Sequence, residues 1–340
     1  MQHLLRNNIM PRPLLTVLTD PVPYGTYLPV EIAKYLLRKI KRKLNPLPHY
    51  MVSKYRGHPA VTRSLVEGLA KINADANYNP RSYNRIGETV LVLSGIPALK
   101  QAIQLKRKGY IKKLLAGPNM VEFPSDHNGL AASPEVDQYV VNCDWAKVLY
   151  EQDCPSLAGR CIIWPAGVDA EYWKPDPTKQ RDTILIYEKQ RKGPVGPVGP
   201  YKQWMEQQGY KVEIIKCGEY TLAEFLTALQ RSQLMVGFVL DESQGIAWAE
   251  AWSADVPTLI WRNERNVVRG RAYDCTTAPF LTAENGLYFD NLEHFKIVFR
   301  QWTETKSLFR PRPWLLENMS DEVCAQMLCQ LAGVKLPENE

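Results

Sequence analysis

Residues Leu234 to Trp261 read LMVGFVLDESQGIAWAEAWSADVPTLIW, and their order decides what fold the chain can make. Leu234 to Leu240 is a short apolar run with the length of a strand buried on both faces. Asp241-Glu242-Ser243-Gln244-Gly245 is a polar turn. The apolar, Ala-rich segment Ile246 to Ala254 reads as a helix packed on a sheet, and Asp255-Val256-Pro257 ends it. Thr258 to Trp261 supplies the next strand. A strand, a turn opening a helix and a second strand make a βαβ unit. In open α/β sheets a ligand sits beyond the carboxyl ends of the strands, where Asp241 to Gly245 falls.

Glu242 lies in the turn and Glu250 along the helix, with seven residues between them. Gly245 lets a ligand approach the backbone closely. The first N–H groups of the helix, around Gly245 and Ile246, form an anion site. One carboxylate before the helix and one along it suit a molecule with hydroxyl-rich ends and a diphosphate middle. A nucleotide-sugar has that shape.

The segment from Glu242 to Glu250, with its continuation through Pro257, resembles the E-x7-E motif of retaining GT-B glycosyltransferases of family 4. The resemblance implies that Glu242 and the backbone of Ser243, Gln244, Gly245 and Ile246 contact the donor sugar. It also implies that Glu250 binds the ribose and that the helix N-terminus takes the diphosphate. The family's usual small-Gly-Val-Pro ending stands here as Ala254-Asp255-Val256-Pro257; Asp tolerates the left-handed conformation at a helix end. Pro165-Ala166-Gly167-Val168-Asp169, followed by Tyr172-Trp173-Lys174-Pro175, is similar to the turn that closes the first domain in that family. Asn285-Gly286-Leu287-Tyr288-Phe289 is similar to a short strand near the end of its second domain.

The implied fold is α/β with GT-B architecture: two Rossmann-like domains whose parallel sheets face a central cleft. The expected bounds are 1–175 for the acceptor-side domain and 176–310 for the donor-side domain. Residues 311–340 are expected to carry a helix that packs back on the first domain.

Other stretches fit the same frame. Leu14 to Leu18 is a short strand and Thr19 to Pro29 a Pro/Gly loop, in which Tyr24 and Gly25 are acceptor-side candidates by the resemblance. The apolar spacing from Val30 to Lys43 predicts a helix. Its end, Arg38 to Lys43, is the densest basic cluster, complementing the helix dipole or meeting an anionic membrane surface. Thr183 to Tyr187 is the first strand of the second domain. Lys189, Arg191 and Lys192 follow at its carboxyl end, where cations suit a diphosphate. Gly193 to Pro200 is a Gly-Pro-Val repeat read as an extended loop before a helix starting near Tyr201. Gly218 and Tyr220 follow the strand Val212 to Lys216, on the nucleobase side by the resemblance. Thr221 and Glu224 form a capping box for the helix Leu222 to Arg231. His127 is a candidate at the sugar by the resemblance. Ala74 to Pro80 reads as a polar turn, and Arg310-Pro311-Arg312-Pro313 as a break before a last helix near Ser320 to Leu331.

Composition bounds the rest. A chain of 340 residues, 45% hydrophobic, can bury a large core and suggests two domains. The net charge of +6 suits an anionic donor but is too dispersed for a nucleic-acid footprint. Seven cysteines without a CxxC pair point to reduced thiols in a cytoplasmic protein. With no Asp-x-Asp motif and no zinc spacing, no metal and no other cofactor are expected. The expected partners are a nucleotide-sugar and a glycan, lipid-linked or small-molecule acceptor. A GT-B nucleotide-sugar epimerase and a non-catalytic sugar-binding protein remain alternatives. A nicotinamide-dependent oxidoreductase is disfavoured because no G-x-G-x-x-G occurs.

Overall fold

A computed structural model of the chain describes residues 12–20, 57–80, 82–189 and 196–336. Tyr24, Gly25, the expected helix with Arg38 to Lys43, and the pair Arg191 and Lys192 lie outside the described residues.

The first sheet comprises β1 (Leu15–Thr19), β2 (Ala76–Tyr78), β3 (Thr89–Ser94), β4 (Lys113–Asn119), β5 (Gln138–Val141) and β6 (Cys161–Ile163), in the order β2-β1-β3-β4-β5-β6. The second is built from β7 (Thr183–Lys189), β8 (Lys211–Lys216), β9 (Ser232–Val239) and β10 (Thr258–Trp261). Between β10 and its last strand the chain makes a separate antiparallel hairpin, β11 (Arg265–Val268) and β12 (Arg271–Asp274). With β13 (Gly286–Phe289), the second sheet runs β13-β10-β9-β7-β8. Every neighbouring pair in both sheets is parallel. This is the expected α/β architecture of two parallel sheets.

The apolar strands follow from burial on both faces. In the first sheet Val90, Val92, Leu114 and Ala116 pack to one side, while Leu91, Leu93 and Leu115 pack to the other. In the second, Leu185, Tyr187 and Met235 oppose Ile184, Ile186 and Val236. Gly237 interrupts β9 because a Cβ there would stand 2.4 Å from the Trp248 ring. The missing side chain admits that indole between helix and sheet.

Both sheets have the doubly wound order in which the second strand lies on one side of the first and the third on the other. Direction reverses between β1 and β3 and between β7 and β9, the points at which such sheets leave a crevice for ligands. The β7–β9 register pairs Lys189 with Val239. Lys189 is thereby set beside the turn that carries Glu242.

The chain returns to its first half at the end. The Asp321–Ala332 helix lies on the His58–Lys71 helix, and Ala325, Leu328 and Cys329 join the core under the first sheet. Arg63 grips Asp321 through both guanidinium nitrogens, at 2.6 and 3.0 Å. The Trp164 indole donates to the Cys324 carbonyl at 2.7 Å.

Three local readings need correction. Ala76–Tyr78 is the edge strand β2, not part of a turn, because Thr16 and Thr19 bind the side chains of Asn77 and Asn79. Pro311 and Pro313 do not break the chain but open a helix, Pro311–Asn318, whose first turn has no use for their missing N–H groups. The helix after the Gly-Pro-Val repeat starts at Gly199, with Pro200 in its first turn. No helix among the described residues is long and apolar enough to cross a membrane.

Candidate functional site

The site is built where β7 and β9 end. Lys189 closes β7, and its ammonium bonds the Glu242 carboxylate (Nζ to Oε1). The two side chains are 24% and 14% exposed, so the pair is shielded but not sealed from solvent. Burial works against the Lys189 charge, but the charge and hydrogen bond of Glu242 outweigh it and the pKa is raised.

Glu242 is held by its backbone from two sides. Its N–H donates to the Thr276 carbonyl at 2.9 Å, and its own carbonyl accepts from Trp145 Nε1 at 3.0 Å. Asp241 beside it is buried and accepts from Tyr273 Oη at 2.5 Å and Asn266 Nδ2 at 2.7 Å.

Gly245 has φ +64°, the left-handed region, and caps the Ile246–Ser253 helix. The helix ends at Ala254, and Asp255 takes φ +60°, the conformation that its side chain tolerates better than most. Trp248 anchors the helix on β9 and donates its indole N–H to the Thr277 carbonyl at 2.9 Å.

Two cavities flank the turn. One, of about 260 Å³, is lined by Glu250 and Ile246, by Leu222 at the start of the Leu222–Arg231 helix, and by Tyr172 and Trp173 of the segment between β6 and β7. Glu250 is buried there, and Tyr172, desolvated and close to the Glu250 charge, has its pKa raised. The other, of about 210 Å³, is lined by Ser243 and by Phe123, Asn142, Trp145, Tyr150 and Tyr273.

Lys189, Glu242, Ser243, Gly245, Ile246 and Glu250 therefore gather around one turn and helix. The side chain of Gln244 is taken up by Ala166 and Asn142. Its Nε2 donates to the Ala166 carbonyl at 2.9 Å, and its Oε1 accepts from the Ala166 N–H at 2.8 Å and from Asn142 Nδ2 at 2.9 Å. Both ends of the amide are occupied by residues that follow β5 and β6, so Gln244 ties the turn after β9 to the end of the first sheet. Gly218 is exposed at φ +94°, and Tyr220 packs on Phe225 with ring centroids 4.9 Å apart. Its hydroxyl donates to Tyr187 Oη at 3.4 Å. His127 stands exposed at φ +54° and lines neither cavity. The neighbouring Asp126 is engaged by Arg269 instead.

Sequence reasoning missed Asn142, Trp145 and Tyr273. Asn142 to Trp145 directly follow the carboxyl end of β5, the rim on which ligands lie in such sheets. That position was the available signal for Trp145; Tyr273 had none.

No protein-family model matches the chain, and no curated protein matches it in sequence. Solved structures do resemble its course. One is HepE from Anabaena, in complex with UDP and glucose, with TM-score 0.47 and 10% identity, covering 94% of this chain and 99% of that one. Another is the lipopolysaccharide outer core galactosyltransferase WaaB, with TM-score 0.47 and 9% identity, covering 94% and 98%. TarM is similar over 74% of this chain, with TM-score 0.45 and 12% identity; the chain spans about half of TarM's length, 55%. At such identities the likeness carries nothing about substrate or mechanism.

Proposed function

We propose that the chain is a retaining, metal-independent glycosyltransferase that moves a sugar from a nucleotide-sugar to a hydroxyl acceptor. The observation that carries the reading is the convergence of Lys189, Glu242 and Glu250 at one switch point. The first two are in contact, and the third is buried in a cavity beside the helix that the Glu242 turn opens.

In this reading the nucleoside occupies the cavity between Glu250, Leu222 and Tyr172, and Glu250 accepts hydrogen bonds from the ribose hydroxyls. Gly218 and Tyr220 stand on the nucleobase side. The diphosphate lies over the first N–H groups of the Ile246–Ser253 helix, where the partial positive charge of the helix end favours an anion. Lys189 exchanges Glu242 for the phosphate oxygens. Glu242 is then available to the sugar hydroxyls. The acceptor reaches the anomeric carbon from the side of Ser243, through the aromatic-walled cavity between Trp145 and Tyr273.

Chemistry of this kind needs stabilisation of the departing diphosphate more than it needs a nucleophile of the protein. The acceptor oxygen bonds to the anomeric carbon on the face that the phosphate leaves. The carbon–oxygen bond to the diphosphate breaks with its electron pair, and the acceptor proton passes to the departing phosphate oxygen. The configuration is retained. Incubation with a panel of nucleotide-sugars, with and without EDTA, tests the reading. Release of free nucleotide and an anomeric proton of unchanged configuration support it. A response to NAD(H) alone contradicts it.

A further inference from the structure

The hairpin β11–β12 is an insertion between two strands of the second sheet, and both of its ends are engaged. Its turn, Arg269-Gly270, takes φ +51° and +76°, the paired left-handed conformation of a tight two-residue hairpin. From that turn Arg269 bonds both Asp126 oxygens at 2.9 and 2.8 Å, and Arg271 bonds Asp153 at 2.6 Å and Ser125 at 3.1 Å. All three partners belong to the first domain. The two guanidinium groups lie 4.9 and 4.7 Å from the centroid of the Phe123 ring.

At the other end, the hairpin holds the turn of the candidate site. Tyr273 and Asn266 both donate to Asp241 Oδ2, at 2.5 and 2.7 Å. Thr276, just past the hairpin, accepts the Glu242 N–H at 2.9 Å. The Tyr273 ring stacks on Trp145, with centroids 5.8 Å apart and planes 14° apart. Trp145 in turn donates to the Glu242 carbonyl at 3.0 Å. Thus the peptide of Glu242 is fixed from the hairpin side and from the first domain, through two stacked rings.

We propose that this hairpin is a clasp that registers the two domains, and that Tyr273 is a positioning residue that sets Glu242 by holding Asp241. The catalytic consequence rests on the transferase reading given above. Tyr273 touches no reacting atom; it acts through Asp241 and Trp145. Its effect is steep because a carboxylate displaced by about 1 Å from a productive geometry can lose about a hundredfold in rate.

Tyr273→Phe keeps the ring and removes the hydroxyl, and Arg271→Ala releases the exposed end of the clasp. Hydrogen exchange at the Glu242 amide, read on the full chain, tests positioning without any substrate. Exchange in Tyr273→Phe is expected to rise tenfold or more over wild type, and to rise in Arg271→Ala also. An unchanged Glu242 amide in both variants overturns the proposal. The second readout uses whichever of UDP, GDP, ADP or CDP binds wild type, with its sugar conjugate. In Tyr273→Phe the diphosphate Kd is expected within about twofold of wild type, while kcat falls about tenfold to a hundredfold. Equal losses in both would mean a general structural role and also overturn it. Wild type that binds none of the four sinks the transferase reading instead, and leaves the exchange experiment to decide the clasp.

Discussion

The Lys189 ammonium rests on the Glu242 carboxylate although the two are 53 positions apart in the chain. β7 and β9 end side by side at the switch point of the second sheet and bring them together. Replacing Lys189 by Met leaves a shielded carboxylate without its cation. The expected cost is about 1–3 kcal/mol of stability, together with loss of transfer activity. The pKa of Lys189 is raised in the fold, so its contribution is complete below the unfolded value of about 10.4 and is lost as pH climbs through the folded value. The melting-temperature gap between wild type and Lys189→Met should therefore be constant from about pH 6 to about pH 10 and narrow above that.

Gln244 crosses from the turn after β9 to the backbone of Ala166 and the side chain of Asn142. Gln244→Ala orphans three buried polar groups of the first domain. Urea unfolding should show a loss of about 2–3 kcal/mol, at about 1 kcal/mol for each hydrogen bond. Gln244→Glu should do as badly, since a carboxylate cannot donate to the Ala166 carbonyl.

Gly245 combines a left-handed backbone with a Cβ direction that points 2.5 Å from Trp248 Cδ1. Gly245→Ala must strain the backbone or push the indole off β9. A destabilisation of about 1–3 kcal/mol is expected, with weakened diphosphate binding because the helix start moves. A denaturant midpoint and a titration of the same variant check both.

Arg63 and the fully buried Asp321 join the His58–Lys71 helix to the returning Asp321–Ala332 helix. Burial pushes the Asp321 carboxyl up even beside Arg63, so its charged form depends on that cation. Arg63→Ala should cost about 3–5 kcal/mol, the penalty of a buried carboxylate that loses its close partner and keeps only the Lys71 ammonium at 3.8 Å. Calorimetric unfolding measures it, and a cost below about 1 kcal/mol would mean that the pair does not hold the two helices.

Much of this was legible in the sequence because the decisive stretch is locally consistent. Leu234 to Leu240 has the apolar run of a two-face-buried strand, and Thr258–Trp261 is found as a strand with the expected ends. The capping box at Thr221 and Glu224 is also present, with both hydrogen bonds made. What stayed hidden depends on partners distant in sequence. Arg265 to Asp274 carries many charges and an Arg-Gly turn, so nothing local marks it as a hairpin; its strands are held by ion pairs to Asp126 and Asp153. The Ala76–Tyr78 strand is only three residues long and is fixed by β1 beside it. Gln244 reads as a ligand contact in the sequence because it stands in the turn between Glu242 and Gly245. Only the fold reveals that Ala166 and Asn142 already occupy its amide.

In the proposed transferase, Glu250 receives the ribose of a nucleotide-sugar in the cavity beside Leu222 and Tyr172. Calorimetric titration of wild type and Glu250→Ala with UDP, GDP, ADP and CDP tests it most directly. One diphosphate should bind wild type, and its affinity should fall about tenfold to a hundredfold in the variant, as expected for loss of charge-assisted hydrogen bonds worth about 1.5–3 kcal/mol. Equal affinity in wild type and variant, or no binding of any of the four, would contradict it.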